Sequence, residues 1–278
     1  MDVAIDTSSL SNVTEADLVQ DLVSSVIRCR ARLVISGEAL AECLDSNEDG
    51  ARRRLSVVLR IADALGTRLL LADELGSIHR RERQRAITST PKLSGSHLAL
   101  GFLRDSAVAH DWSAIRASTS RYLHKGTSLD VDRAIRAVEE LTPQILVAMI
   151  AHIRDHFWSS LFVQAVSENG RYAARMRACP GRYRSAITLA AYSFLNGLGA
   201  ATPGHFGKGD LVQKPRWGNW VDARIAAAGA YCTVMVTDDR LMRNKVNFIG
   251  EHFGFRCRAI DLDSWLKAKD RNGLRPEA

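Results

Sequence analysis

The stretch CTVMVTDDRLMR, from Cys232 to Arg243, joins a buried-strand pattern to an abruptly polar end. Its first half is short, apolar and rich in β-branched residues, which is typical of a strand in a sheet covered on both faces. Asp238 and Asp239 then follow, and the chain turns basic. Because ligand sites of parallel sheets lie at the carboxyl ends of the strands, this pattern predicts a polar site there.

Strand-like segments recur along the chain, and amphipathic helices separate the first three. Strands are predicted at residues 2–6, 32–36, 68–72, 232–237 and 255–261. One helix is predicted at 14–28, where Thr14 and Asp17 resemble a capping signal, and another at 52–65, closed by Gly66. This alternation predicts an α/β fold in which helices cover both faces of a parallel sheet.

The middle of the chain follows a different pattern. Residues 86–205 contain one helical pattern after another, bounded by the loop-like segments TSTPKLSGS and GAATPGHFGKGD. Strand and helix patterns alternate again after the second of these loops. The simplest account is one α/β domain whose first half spans residues 1–85 and whose second half spans 206–278, with an all-helical insertion at 86–205.

The composition indicates which kind of partner and which cellular compartment to expect. The formal net charge is +7; residues 1–85 hold 12 Lys and Arg against 14 Asp and Glu, and the remainder holds 26 against 17. A basic surface of this kind suggests a polyanionic partner. The five cysteines form no CxxC pair, no apolar stretch reaches about 20 residues, and the N-terminus lacks a secretory pattern. We therefore expect a cytoplasmic protein with reduced thiols and no membrane segment.

Several acids are expected to converge at one edge of the sheet. Asp6 ends the first strand segment, as Asp238 and Asp239 end the fourth. Glu42 lies on the helix pattern after the second strand, with Glu38 one turn earlier. A further acid, at position 222, lies near the start of the Ala-rich helix pattern before the fourth strand. Each acid has apolar neighbours in the sequence, where an isolated charge is costly.

Two segments of the first half resemble the PIN-domain nucleases, a family that includes the toxin ribonucleases of toxin–antitoxin operons. AIDTSSL resembles the first strand of the family and its terminal aspartate, which corresponds to Asp6, with Ser8 as the small polar residue two places on. VISGEALAECL resembles the second strand and helix, and this match places the family glutamate at Glu42 and leaves Glu38 outside the pattern.

Two segments of the second half complete the resemblance. WGNWVDARIAAAGA resembles the D-x-x-I-A-A helix of the family and matches Asp222. VMVTDDRLM resembles its T-x-D strand end and matches Thr237 and Asp239, with Asp238 as an additional acid. The four segments occur in the family order across residues 1–85 and 206–265. The long middle segment departs from the small members of the family.

The resemblance implies a three-layer α/β/α domain with a five-stranded, mainly parallel sheet, and a metal-dependent endoribonuclease activity. Clustered carboxylates repel one another, so they must keep protons or hold cations, and oxygen ligands select Mg²⁺ or Mn²⁺. Asp6 and Asp239 would be the principal ligands, and Asp222 and Glu42 would complete the shell. Ser8 and Thr237 would support it, and Asp238 is an additional candidate. Cleavage would leave a 3′-hydroxyl and a 5′-phosphate.

Basic residues in two segments are candidates for RNA binding. The first segment, GRYAARMRACPGRYR at residues 170–184, also contains Tyr172 and Tyr183, whose rings could stack on unpaired bases. The second set of basic residues, which includes Lys245, flanks Asp222 and Asp239 in the sequence. The candidate arginines are Arg171, Arg175, Arg177, Arg182, Arg184, Arg216, Arg240 and Arg243. Besides the RNA substrate, a small antitoxin protein and a second copy of the chain are candidate partners, the latter two by resemblance.

The sequence leaves structural interpretations open at every position. Asp6 is compatible with a helix cap, Asp239 with a cap on the helix that begins near Arg240, and Glu42 with a solvated helix face. The arginines are compatible with a solvated face whose tyrosines pack on the core. His152 and His156 are spaced like metal ligands but lack a third partner, so they are interpreted as surface or packing residues. The functional alternative is a catalytically silent module of the same fold that binds RNA or protein.

Overall fold

The computed structural model describes residues 1–45, 47–72, 75–85, 97–109, 111–115, 117, 157–160, 163, 170–201 and 218–268. At its centre lies a parallel sheet with the strand order β3-β2-β1-β4-β5. The strands are β1 (Asp2–Ile5), β2 (Arg32–Ile35), β3 (Leu69–Leu71), β4 (Val234–Val236) and β5 (Arg258–Ile260). Each falls within a predicted strand segment, so the α/β prediction is confirmed, and all four strand pairs are parallel.

Helices connect these strands and cover the sheet. Those of the first half are α1 (Thr7–Glu15), α2 (Val19–Arg28), α3 (Gly37–Leu44), α4 (Glu48–Leu65) and α5 (Leu75–Arg85). The remaining described helices of at least six residues are α6 (His97–Val108), α7 (Gly170–Ala178), α8 (Arg184–Ala201), α9 (Gly218–Gly229), α10 (Arg240–Phe253) and α11 (Leu262–Lys267).

The direction in which strands are added to the sheet reverses between β1 and β4, and in open α/β sheets a crevice forms at such a point. From β1 the chain adds β2 and β3 on one side, whereas β4 and β5 lie on the other. Because parallel crossovers are right-handed, the helices that follow β1 and β2 cover one face of the sheet, and those on either side of β4 cover the other. The contacts agree with this rule: α2 packs on α4, and α9 packs on α8 and α10. Ligands of open α/β sheets bind at such a reversal, outside the carboxyl ends of the strands.

Strand register determines which side chains meet in that crevice. Ile5, the last residue of β1, pairs with Ile35 of β2 and with Val236 of β4. Each strand therefore ends at the same level, and Asp6 and Thr237 are the next residues along β1 and β4. Val3, Ile5, Leu33 and Val236 are almost fully buried, so the strands form the core and only their ends reach the crevice.

The Ala-rich helix α9 packs directly against the central strand. Ala223, Ala226 and Ala227 are buried, and a Cβ placed on Gly229 would lie 3.2 Å from the Cβ of Ala4 on β1. Small side chains allow this close approach, as the sequence pattern indicated. The approach also fixes the height of α9, and with it the position of Asp222, relative to the sheet.

The predicted helix at 14–28 is wrong in its start. Thr14 lies inside α1, and its hydroxyl donates to the carbonyl of Leu10 instead of capping a following helix. Asp17 has a φ of 49°, which is not a helical value, so the helical conformation is interrupted between α1 and α2. The helix predicted at 52–65 is confirmed as part of α4, which begins earlier and ends before Gly66, whose φ is 52°.

The described part of the middle segment is helical and shares the core of the α/β domain. Helix α6 contacts α4 and β3, and α8 contacts α5, α9 and α10. Phe157 packs edge-to-face on Phe194 and on Phe253 of α10. The boundaries 86–205 stay a prediction, and His152 and His156 lie outside the described residues. Among the described helices, none has an apolar run of the length that a membrane crossing requires.

The contact between α9 and β1 gives a stability prediction. Gly229→Ala should lower the free energy of unfolding by about 1 kcal/mol, because the added methyl group meets a side chain on the central strand. Gly101→Ala, in the middle of α6 with nothing within 4 Å of the added Cβ, is the matched control. It should raise stability by about 0.5–1 kcal/mol. Urea denaturation of both variants measures these changes, and equal effects of the two would contradict the close approach.

Candidate active site

Asp6 follows β1 where the chain turns into α1. Its carboxylate caps α1 by accepting a hydrogen bond from the amide of Ser9 at 3.0 Å, and the hydroxyls of Thr237 and Ser8 donate to it at 2.8 and 2.9 Å. Burial raises the pKa of Asp6, and these donors oppose the increase because they favour the charged form. Asp6 is thus buried, and its donors hold the carboxylate in one orientation. It is a helix cap as well as a candidate ligand.

The hydroxyls of Ser8 and Thr237 join the two strand ends. The Ser8 hydroxyl accepts hydrogen bonds from the amides of Asp238 and Asp239 at 3.0 and 3.2 Å. The Thr237 hydroxyl accepts from the amide of Asp239 at 3.2 Å while it donates to Asp6. Each hydroxyl therefore bridges the end of β1 and the end of β4, which gives both predicted supporting residues a definite structural role.

The paired aspartates after β4 have different environments. Asp238 accepts from the side-chain amide of Asn12 at 2.7 Å and from the amide of Leu262 at 3.0 Å, so it ties α1 to α11. Asp239 caps α10 through Oδ1, which accepts from the amide of Met242 at 2.8 Å. Its Oδ2 accepts no hydrogen bond from the residues that the structure describes. This difference favours Asp239 over Asp238 as a ligand.

Glu42 and Glu38, one turn apart on α3, belong to different networks. The hydroxyl of Thr7 donates to Glu42 at 2.6 Å. Burial raises the pKa of Glu42, and the charge of Asp6 raises it further. Glu38 is fully buried, and its carboxylate pairs with Arg224 of α9 at 3.2 Å. The structure therefore brings Glu42 near Asp6, whereas Glu38 joins α3 to α9.

Asp222 reaches the same region from the first half of α9. Burial, together with the charges of Glu42, Asp239 and Asp6, raises its pKa to about 8. The charge of Lys245 opposes this increase. Within the described part of the chain, no group donates a hydrogen bond to Asp222. Its carboxyl therefore lies in a field of three other acids and lacks the donors that hold Asp6.

These four carboxyls define the acidic cluster: Asp6, Glu42, Asp222 and Asp239. They come from β1, α3, α9 and the end of β4, and they influence one another electrostatically. Neighbouring carboxylates disfavour each other's charged form, so the cluster must hold protons or attract cations. Its residue composition thus fits a hard divalent cation such as Mg²⁺ or Mn²⁺.

The cluster is not arranged as a finished coordination shell. Among the described residues, no three His, Cys, Asp or Glu side chains are grouped closely enough to hold a metal ion. Glu42 instead accepts a hydrogen bond from Thr7, and one oxygen of Asp239 accepts from the amide of Met242. The match to a divalent cation therefore rests on the type of donor atom and on the mutual electrostatic effects.

Lys245 of α10 does not contact solvent. It is fully buried, its ammonium donates a hydrogen bond to Asn196, and it lies 4.6 Å from the centre of the Tyr192 ring. The interpretation of Lys245 as a surface contact for phosphate is therefore wrong. Burial lowers its pKa to about 8, and the charges of Asp222 and Asp239 oppose that decrease.

The predicted RNA-binding residues have mixed environments. Arg171, Arg175 and Arg177 are exposed on α7, and Arg240 is exposed at the start of α10. Three others are partly exposed: Arg182, Arg184 and Arg243. Arg243 donates to the carbonyl of Thr237 at 2.8 Å, so it also supports the strand end. Arg216 lies outside the described residues.

The tyrosines of this segment are core residues. Tyr172 and Tyr183 are buried and pack edge-to-face with ring centroids 5.1 Å apart. Their rings are therefore not available for stacking on bases, and the structural interpretation of these two residues is correct. The exposed arginines keep their predicted role in RNA binding, without the tyrosines.

Sequence reasoning missed the residues that orient the acids. Thr7, Ser9 and Asn12 of α1 contact Glu42, Asp6 and Asp238, and α1 as a whole was not predicted. One signal was present, since a strand-end aspartate followed by Thr-Ser-Ser resembles a helix cap. Tyr192 and Asn196 were hidden in an apolar helix pattern that indicated only burial.

No family model matches the chain, and no curated protein or solved structure matches it either. The resemblance to the PIN-domain nucleases therefore rests on the four sequence segments and stays a prediction.

The raised pKa of Asp222 gives a pH prediction for the protein in a chelating buffer. Folding favours the neutral carboxyl, so its stabilising effect is complete below the ordinary value of 3.8 and is lost as the pH rises to about 8. Asp222→Asn removes this dependence. The variant should be more stable than the native protein at pH 8, by on the order of 1–2 kcal/mol after allowance for solvent screening, and the difference should shrink towards pH 4.

Urea denaturation at several pH values between 4 and 8 measures this difference. Asp21→Asn, at an exposed position of α2, is the control, since it removes a charge of the same type far from any buried acid. A destabilisation by Asp222→Asn that is the same at every pH would contradict the electrostatic account of the cluster.

Proposed function

We propose that the chain is a metal-dependent endoribonuclease that hydrolyses RNA phosphodiester bonds at the acidic cluster. The proposal is carried by one observation: four carboxyls from separate segments converge where the strand order reverses, and their charges act on one another. This is the edge at which ligand sites of parallel sheets occur. The PIN resemblance supports the same residues by a separate argument, from sequence segments.

The carboxyls of the cluster differ in how many hydrogen bonds they accept from described residues. Asp6 is held by Thr237, Ser8 and the start of α1, so it offers a fixed carboxylate. Asp222 accepts no hydrogen bond from a described residue, and Asp239 keeps one oxygen without such a donor. Asp6, Asp222 and Asp239 would therefore be the ligands, with Glu42 completing the shell directly or through water. A divalent ion bound there would activate water and stabilise the charge that develops on the phosphate.

The cluster has to rearrange to hold an ion. Glu42 would exchange its hydrogen bond from Thr7, and Asp222 would release a proton, because its pKa of about 8 keeps it largely neutral at pH 7. Both changes are local. The strand ends that carry Asp6 and Asp239 are tied together by Ser8 and Thr237, which limits the movement to side chains.

RNA is the proposed substrate because of the basic residues outside the sheet. Arg171, Arg175, Arg177 and Arg240 are exposed and can pair with phosphates. By the family resemblance, cleavage would leave a 3′-hydroxyl and a 5′-phosphate. A small antitoxin protein and a second copy of the chain stay proposed partners on the same ground.

Nuclease assays with structured RNAs in Mg²⁺ or Mn²⁺ test the proposal. The native protein should cleave, and Asp6→Asn and Asp222→Asn should each reduce the rate by about a hundredfold or more, because each removes a charged ligand. Asp21→Asn, on the surface of α2, is the control with the same chemical change and should keep the native rate.

The same assay separates the catalytic proposal from a silent binding module. A module that only binds RNA would show affinity that falls with salt and does not respond to loss of the acids. Its exposed arginines on α7 are the observation in favour of this second candidate. Equal RNA cleavage by the native protein and both acid variants would contradict the assignment of the cluster.

Ion binding should be coupled to the proton on Asp222. Because a carboxyl must lose its proton to ligate, Mn²⁺ affinity should rise by up to about tenfold per pH unit between pH 6 and 8 and then level off. Calorimetric titration with Mn²⁺ in buffers of different ionisation enthalpy measures the protons released. We expect close to one proton per bound ion at pH 7. An affinity that does not change over this range would show that no ligand holds a proton.

A further inference from the structure

Lys245 is a buried cation beside the acidic cluster, and the proposed chemistry does not use it. Its side chain is fully buried on α10, one turn and a half after Asp239 caps that helix. The charges of Asp222 and Asp239 both act on it. Within the described residues Lys245 makes no ion pair within 4 Å, so it acts on these acids through space.

Helix α8 of the middle segment holds the ammonium in place. Asn196 accepts its hydrogen bond, and the face of the Tyr192 ring lies 4.6 Å from it, within the range of a cation–π interaction. Tyr192 and Asn196 are one turn apart on α8, and both are buried. The part of the chain that departs from small PIN domains thus contributes two side chains to the environment of the cluster.

The position of α8 is itself fixed. Glu82 of α5 is fully buried and accepts hydrogen bonds from the amides of Ser185 and Ala186 at 2.8 and 3.2 Å. Tyr231 also donates to Glu82. These bonds anchor the N-terminus of α8 to α5. Contacts of α8 with α9 and α10 also fix its position. The ammonium of Lys245 is consequently held in a fixed position.

We propose that Lys245 is a positioning residue that serves as a counter-cation of the cluster, so that a single divalent ion completes the site. This inference rests on the proposed function, since it concerns the same carboxyls. A buried ammonium that acts on Asp222 and Asp239 supplies part of the positive charge that the four carboxylates need, and it repels a second divalent ion from the cluster. The middle segment then determines how many ions the site holds.

Metal binding by a neutral variant tests the proposal. Lys245→Met keeps the length of the side chain and removes its charge. Titration with Mn²⁺ alone, followed by electron paramagnetic resonance, should show one ion bound to the native protein. The variant should bind Mn²⁺ at least tenfold more tightly or take up a second ion, because the repelling charge is gone. If Lys245 had only a structural role, its replacement by methionine would not tighten Mn²⁺ binding.

Lys267→Met is the matched control. Lys267 is exposed on α11 and pairs with Asp263, so its loss removes the same charge away from the cluster. It should leave the number of bound ions and their affinity unchanged. The inference alone would be overturned by two ions in the native protein, or by a Lys245→Met variant that neither binds Mn²⁺ more tightly nor takes up a second ion. A native protein that binds no Mn²⁺ would overturn the proposed metal site and the inference with it.

A second test uses the native protein, so its result does not depend on whether the Lys245→Met variant folds. The ¹⁵Nζ resonance of Lys245, assigned by its contacts to the Tyr192 ring, should shift during titration with Mg²⁺, while that of Lys267 should not. A Lys245 signal that stays unchanged while Mg²⁺ binds elsewhere in the cluster would show that the ammonium does not sense the ion, and would overturn the inference.

Discussion

The mutual repulsion of carboxylates at the end of a parallel sheet is the constraint on which the site depends. The register of β1 and β4 brings Asp6 and the Thr237–Asp239 turn to one level, and the close packing of α9 on Ala4 adds Asp222. Strand pairing and helix packing thus force these acids together. The chain offsets the cost with donors to Asp6, a raised pKa at Asp222 and the nearby charge of Lys245.

The candidate ligands also stabilise the fold. Asp6 caps α1 and Asp239 caps α10, so each aspartate ends a strand, starts a helix and contributes charge to the cluster. The structural and the functional interpretations of these residues are therefore compatible. Asp238 has a mainly structural role, because Asn12 and Leu262 donate to it. A substitution that tests catalysis at Asp6 or Asp239 must consequently be checked for stability as well.

Short apolar segments predicted every strand that the structure describes, because the strands of a parallel sheet covered on both faces are apolar along their length. The acids could be predicted as a group, since the residues after parallel strands share an edge. Helix α1 could not, because TSSLSNVTE has few helix-favouring residues and is stabilised by Asp6 and by packing on α3 and α4. The burial of Lys245 depends on Asn196 and Tyr192, about fifty residues away, which no local pattern encodes.

The central claim is that the acids from both halves of the chain form one site for a divalent ion. The most direct measurement is a crystal structure of the protein soaked in Mn²⁺, with anomalous scattering used to locate the ion. The account predicts a Mn²⁺ peak in the crevice at the ends of β1 and β4, within coordination distance of Asp6 and Asp239. A crystal that shows Mn²⁺ only on the surface, with Asp6 still bound to Thr237 and Ser8 alone, would contradict it.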